Sequence, residues 1–339
     1  MITKAVLKNF RCHKDLTMEF SQNPFYIAGR NGSGKTSAAE AVFTLLTLKS
    51  FRKINIKDAV SYGEEYLRIS LSFDWEIPKE LVYFYDSVRR LMTDGEETAS
   101  PADFSHILPV ICYSPGFETL FSNDHQERRA SLDRIIYYND KRYVEDVRRY
   151  NALLARKRAE LSAERPDSDV LSALNLQLAP LSGSISQARG ALIGDINIEL
   201  SADPIYHEII PELILALDVS PMLKDDKETL LREMQAKRPL CGCHKDLLYL
   251  KKGGVAVEKF QSFGQRKSAL LFVLYHVSKI IEKKRNQGII LILDDFEAAL
   301  DNNRINLLEG LFLSGNNGLN RQVILTGIEF PSHKGALVL

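Results

Sequence analysis

The 339-residue sequence predicts an α/β fold in which a core carrying a phosphate-binding loop is split by a mostly helical insertion. Two apolar segments mark that core. Phe25-Tyr26-Ile27-Ala28 runs into a glycine-rich turn, and Ile289 to Leu293 runs into the paired acids Asp294 and Asp295. Between them, from Gln126 to about residue 200, the apolar residues recur at helical spacing.

The elements follow in order along the chain. Thr36 to Leu48 carries Ala39, Val42, Phe43 and Leu46 on one helical stripe. Residues 66–75 and 81–86 are β-rich and separated by Ile77-Pro78-Lys79, which predicts an antiparallel pair beside the strand at Phe25 to Ala28, and residues 107–113 predict another strand. Tyr143, Val147, Tyr150, Leu154 and Leu161 predict one long helix over 126–164, ended by Pro166. A second helix over 168–200 would pack on it as a hairpin. Asp246 to Leu250 and Val255 to Phe260 read as a β-hairpin around Lys251-Lys252-Gly253-Gly254. A helix over 265–284, the strand Ile289 to Leu293, a helix near 304–313 and the strand Gln322 to Thr326 complete the chain. The expected division is a lobe I over 1–122 holding the glycine-rich turn, a mostly helical lobe II or arm over 123–240, and the second half of the α/β core over 241–339.

Length and composition set the frame for these assignments. A chain this long buries about three quarters of its extended surface, enough for a large core in roughly two lobes. The composition, 45% hydrophobic and 26% charged, excludes collagenous and wholly disordered classes. Forty-four basic and forty-four acidic residues cancel, so any attraction for nucleic acid must come from a local patch. Residues 128–165 supply one such patch, with eleven Lys or Arg against six Asp or Glu. Four cysteines are too few for a disulfide framework, the first residues lack the apolar core of a secretory signal, and no apolar run approaches the ~20 residues needed to span a bilayer. A cytoplasmic, reduced protein with no membrane partner is expected.

Gly29-Arg30-Asn31-Gly32-Ser33-Gly34-Lys35-Thr36 fits the phosphate-loop pattern between a strand and a helix, the context that pattern needs. Backbone N–H groups from Gly29 to Thr36 and Ser37 would cradle phosphates, Lys35 would reach the β and γ oxygens, and Thr36 would hold Mg2+. Asp294, at the end of an apolar strand 259 positions later, would position the same Mg2+ or its water. Asp295 is the candidate to activate the attacking water. Ser262, Gly264 and Gln265, in Gln261-Ser262-Phe263-Gly264-Gln265, stand at a helix start suited to a further phosphate. Cys241, Cys243 and His244, with Cys12 and His13, lack the spacing of a usual zinc site, and the cysteines read as reduced thiols. The tyrosines of the arm read as packing residues rather than base-stacking platforms.

In this order, the phosphate loop, S-x-G-Q, the acidic strand, Leu300-Asp301 and Thr326 resemble the ABC-type ATPases of the SMC and RecF kind. The closer resemblance is to the RecF family. It rests on Asn9-Phe10-Arg11, Lys49-Ser50-Phe51-Arg52, Tyr62-Gly63-Glu64-Glu65, Tyr113-Ser114-Pro115, Arg128-Arg129-Ala130-Ser131-Leu132-Asp133, Tyr150-Asn151-Ala152-Leu153-Leu154, Gly242-Cys243-His244-Lys245-Asp246 and Leu293-Asp294-Asp295. Departures from the family pattern include Asn123-Asp124-His125 before the paired arginines, Cys243 in place of a usual proline, Leu247 in place of a second aspartate, and Ala299 where the family carries an acid.

That resemblance implies an ABC-type head with a helical second lobe, working as an ATP-dependent head-to-head homodimer. Ser262 and Gly264 of one copy would cap the ATP held by Lys35 of the other. It further implies slow, DNA-stimulated ATP hydrolysis that times the dimer, and contact with duplex and gapped DNA through Arg52, Lys53, Lys57, Arg128 and Arg129. The implied partners are RecR and, indirectly, RecA, in DNA repair, recombination and replication. An alternative reading is an SMC/RecF-like ATPase subunit driving a separate effector such as a nuclease. A long coiled-coil SMC protein is disfavoured by the short arm.

Overall fold

The computed structural model describes the chain except residues 76–77, 99, 118–119, 121, 123, 210, 222, 224–226, 258–261, 286–287, 315–320 and 329–336. Fourteen strands and nine α-helices are described. The chain begins with β1 (Ile2–Phe10), β2 (His13–Glu19), β3 (Phe25–Ala28), α1 (Lys35–Thr47), β4 (Leu67–Phe73), β5 (Glu80–Tyr85), β6 (Arg89–Thr93), β7 (Glu96–Glu97), α2 (Pro101–His106) and β8 (Val110–Tyr113). Next come α3 (His125–Asn139), α4 (Lys141–Leu161), α5 (Ser168–Ser201), α6 (Tyr206–Ile209), β9 (Leu213–Asp218), α7 (Lys227–Ala236), β10 (Leu247–Lys252) and β11 (Val255–Ala256). The chain closes with α8 (Phe263–Arg285), β12 (Ile289–Leu293), α9 (Asn302–Ser314), β13 (Arg321–Gly327) and β14 (Leu337–Val338).

Two compact units result, one from Met1–Glu118 with Phe263–Leu339 and the other from Thr119–Ser262. The first holds two sheets. One is antiparallel, in the order β2-β1-β4-β5-β6-β7; the other is parallel, in the order β14-β3-β13-β12-β8. Helix α1 packs against β1 and β4 of the first sheet and β8 and β13 of the second. This explains why it is buried on every side, with Ala38, Ala39, Ala41, Val42 and Phe43 all inside the core. The parallel strands β12 and β13 are apolar throughout their middles because both faces of their sheet are covered.

The pair β4–β5 is antiparallel as expected, but it lies beside β1 in the six-stranded sheet rather than beside β3. Its true neighbour, β1, had no counterpart among the expected strands, and neither did β2, β6, β7 or β9. In β1 the buried positions are Ile2, Ala5, Leu7, Asn9 and Phe10, an alternation interrupted by a register shift between Ile2 and Lys4, and lysines occupy the exposed side.

In the second unit, α4 and α5 form the helical hairpin, and Tyr143, Tyr150, Leu154, Leu174, Leu178 and Ile185 are its core. The long helix expected over 126–164 is two helices. Asp140 is extended (φ −143°, ψ 106°), and its carboxylate accepts the N–H of Arg142 at 2.9 Å, capping α4 just after α3 ends. Residues 241–256, expected with the ATPase C-terminal half, belong to this unit, because β10 pairs along its whole length with β9. Residues 258–260 of the expected second hairpin strand, and Asn123 and Gln261 of the quoted motifs, lie outside the described residues.

Candidate nucleotide site

The phosphate loop joins β3 to α1. Gly34 caps the helix with φ 103°, and a Cβ at that position would sit 2.5 Å from His13 Nε2 and 2.7 Å from Cys12 Sγ. Only glycine meets both the left-handed backbone and the close approach of the β1–β2 turn. Arg30, Asn31 and Gly32 are exposed at the tip, while Lys35 (8% exposed) folds back and donates from Nζ to the carbonyls of Gly29 (2.7 Å) and Arg30 (2.9 Å). The ammonium thus lies inside the loop, where its charge opposes the first turn of the helix unless anions are present. Ser33 Oγ is buried with no hydrogen-bond partner among the described residues, and Ser37 is buried in the first turn.

Asp294 comes to this loop across the sheet. It is 2% exposed and accepts from three hydroxyls: Thr36 Oγ1 donates to Oδ1 at 2.9 Å, Thr326 Oγ1 to Oδ1 at 2.7 Å, and Ser114 Oγ to Oδ2 at 2.7 Å. Strand order explains the convergence, since β8, β12 and β13 are adjacent parallel strands and Ser114, Asp294 and Thr326 all lie at their C-terminal ends. An unpaired acid would not survive such burial. The Thr36–Asp294 pair is a hydroxyl and a carboxylate in direct contact, an oxygen pair suited to a small divalent cation. The orphan Ser33 hydroxyl and the inward Lys35 supply donors for phosphate oxygens. The residues present therefore fit ATP with Mg2+.

Asp295 follows with a left-handed backbone (φ 53°) held by its N–H to Thr326 Oγ1 at 2.9 Å. Lys267, on α8 and 2% exposed, donates to the carbonyls of Asp295 (2.6 Å) and Ala298 (2.8 Å) and lies over the Tyr113 ring. Burial pulls this ammonium down to about 8, against the opposing attraction of Asp295 and Asp294. Gly264, in the first turn of α8, has Ala299 and Arg304 as nearest neighbours, and a Cβ there would run into the Ala299 carbonyl. Ser262 is exposed and Gln265 half-buried. The S-x-G-Q turn is thereby tied to the loop that follows the acidic strand.

The basic residues divide in two. Arg52, Lys53 and Lys57 are exposed on the loop after α1. Arg128 corrects the expectation made for it: it is 4% exposed, with Nε donating to Ser122 O at 2.5 Å and Nη1 to Leu248 O at 2.8 Å. Its guanidinium is spent tying α3 to β10, leaving none for a duplex. Arg129 is half-buried, donating to Asp246 O at 2.8 Å, and burial lowers its pKa. Of the departures, Cys243 gives its carbonyl to Arg189 Nη1 at 2.6 Å, and that arginine also pairs with Asp133 (2.9 Å) and Asp246 (2.9 Å) in the second unit. Among the described residues no group of three His, Cys, Asp or Glu side chains could hold a metal ion, and no helix is long and apolar enough to cross a membrane.

A family model described as an AAA domain matches residues 4–74, the span from β1 through the phosphate loop to β4. The DNA replication and repair protein RecF of Geobacillus sp. is 27% identical over 89% of this chain and 87% of its own. That of Carboxydothermus hydrogenoformans is 26% identical over 97% of this chain and 94% of its own. A solved structure of the recombination mediator protein RecF with ATP, in the RecFOR pathway, superposes with a TM-score of 0.80 at 21% identity, covering 98% of this chain and 94% of that one. Over nearly its whole length the chain is similar to RecF proteins, as a divergent relative. An Smc head domain from Pyrococcus furiosus also superposes, with a TM-score of 0.56 at 18% identity over 97% of this chain and 89% of that one, and the RecF match is the stronger of the two. The fold is the one shared by the RecF and Smc-head structures, here with a mostly helical second unit, as expected from the ordered motifs.

Proposed function

We propose that this protein, like the RecF proteins it resembles, is an ATP-dependent DNA-binding mediator of gap repair, working as an ATP-bridged homodimer with RecR to help RecA load. The observation that carries the reading is the direct contact of Thr36 with Asp294 beside the inward Lys35, which brings the two halves of an ATPase centre together from positions 36 and 294.

In this reading Lys35 exchanges its two loop carbonyls for phosphate oxygens, and the N–H groups of the loop and the Ser33 hydroxyl complete the cradle. Thr36 and Asp294 would hold Mg2+, which would supply neutralisation of charge developing on the phosphates. Ser114 and Thr326 keep the Asp294 carboxylate aimed. Asp295 orients the attacking water, with its backbone fixed by Thr326 and Lys267. Ser262, Gly264 and Gln265 of the second copy close over the triphosphate, so the dimer is favoured in proportion to the extra contacts each ATP makes. Arg52, Lys53, Lys57 and Arg129 give salt-dependent, sequence-independent affinity for duplex flanking a gap.

Sizing by light scattering with ATP and gapped DNA tests the proposal. ATP should promote both the dimer and duplex binding, Lys35→Met should lose both, and Asp295→Asn should trap the DNA-bound dimer. A protein that stays monomeric with a non-hydrolysable nucleotide and DNA together would refute it.

A further inference from the structure

Two of the motifs that carried the family resemblance, Asn9-Phe10-Arg11 and Lys49-Ser50-Phe51-Arg52, meet at a residue neither contains. Glu40 lies one turn beyond Thr36 on α1 and is fully buried. Arg11 grips it with both arms of its guanidinium, Nη2 to Oε1 at 2.8 Å and Nε to Oε2 at 3.1 Å. The Ser50 hydroxyl donates to Oε1, and Arg52 Nε stands 3.4 Å from Oε2.

The two arginines are held unequally. Arg11 is mostly buried (18% exposed), bidentate, and further tied to Asp58 O, while its own N–H and C=O are taken by Ala59 and Ser61. Arg52 is 38% exposed, and its guanidinium makes no hydrogen bond with a described residue. Only its backbone is fixed, by N–H to Ser50 Oγ at 2.9 Å. Arg11 alone neutralises the buried carboxylate, so Arg52 can leave without stranding a charge. What remains is a formal charge of +1 at an exposed guanidinium beside exposed Lys53 and Lys57. Its unused fork matches two oxygens of a phosphodiester.

We propose that Glu40 is an internal counter-anion that competes with a DNA phosphate for Arg52, so that the helix carrying the phosphate loop sets how readily this arginine reads DNA. This rests on the DNA-binding reading above.

The test is duplex binding without nucleotide across a salt series, for wild type, Glu40→Gln, Ser50→Ala and the double variant Glu40→Gln/Arg52→Ala. Releasing Arg52 should tighten binding by Glu40→Gln about ten-fold, within the usual range of coupling between sites. It should also steepen the slope of log affinity against log salt by about 0.9, the value for one added phosphate contact. The gain should vanish in the double variant. Ser50→Ala, which loosens the clip while keeping the carboxylate, should shift affinity the same way by less, and it carries the test if Glu40→Gln does not fold. A gain that survives loss of Arg52, or wild-type affinity and slope in both single variants, overturns the inference alone. A wild type that binds no duplex in any nucleotide state overturns it together with the proposed function.

Discussion

Thr326→Val keeps the shape of the side chain and deletes the hydroxyl that links Asp294 to the backbone of Asp295. That oxygen donates to Asp294 Oδ1 at 2.7 Å and accepts the Asp295 N–H at 2.9 Å. A hydrogen bond to a buried carboxylate is worth about 1.5–3 kcal/mol and a stranded amide costs about 1–3 kcal/mol. Thr36 still serves the same oxygen at 2.9 Å, which places the loss at roughly 2–4 kcal/mol. For a unit of this size each kcal/mol lowers the melting midpoint by about 2–4 °C, so a fall of about 4–16 °C is expected. Thermal unfolding by calorimetry reads it, with Thr326→Ser as the control that retains the hydroxyl and should lose less than half as much. Ser114→Ala, which unpairs Oδ2 only, should fall between them. If Thr326→Val melts with Thr326→Ser, the hydroxyls are not what holds the carboxylate, and its aim must come from the strand alone.

Three other outcomes are expected. Lys157 and Glu233 are both fully buried, 2.6 Å apart, so Glu233→Ala should cost about 3–5 kcal/mol in chemical denaturation while Lys157→Met/Glu233→Leu is nearly neutral. His244 is held down to about 3 by burial and by Lys245 and Arg158, and its Nδ1 faces Tyr150 Oη at 2.7 Å. The folded form therefore binds fewer protons than the unfolded chain between pH 3 and its ordinary value, and stability should rise with pH through that window. His244→Asn should flatten that rise in melts taken at each pH. Gly264→Ala drives a Cβ into the Ala299 carbonyl and should cost about 1–3 kcal/mol by overpacking, read as a lowered midpoint that Gly310→Ala, where a Cβ meets nothing, does not share.

The parts of the site that sequence made legible are those whose chemistry is contiguous. The phosphate loop announces itself because its glycines, Lys35 and Thr36 are consecutive, and Asp294 because an apolar strand ends on it. Ser114, Thr326 and Glu40 were legible only as members of motifs, or not at all, because their roles come from strand order and from a helix packed between two sheets. Arg128 misleads for the same reason: a run of basic residues on a helix does not tell which face turns inward. The break at Asp140 had a signal, an Asn-Asp pair that favours a cap over continued helix, which the strong apolar spacing on either side outweighed. The placement of β4–β5 failed because position in sequence after β3 says nothing of a sheet whose first partner, β1, carries Lys4 and Lys8 on its exposed side.

Strand β3, which feeds the phosphate loop, is flanked by β13 and β14, and both of these come from beyond residue 320. A ribosome adding ~5–20 residues per second delivers those neighbours roughly 15–60 s after the loop itself. Until then the loop hangs from an unzipped edge, and nucleotide has no formed cradle to template. A chain cut short before that point would carry the phosphate loop without either of the strands that flank β3.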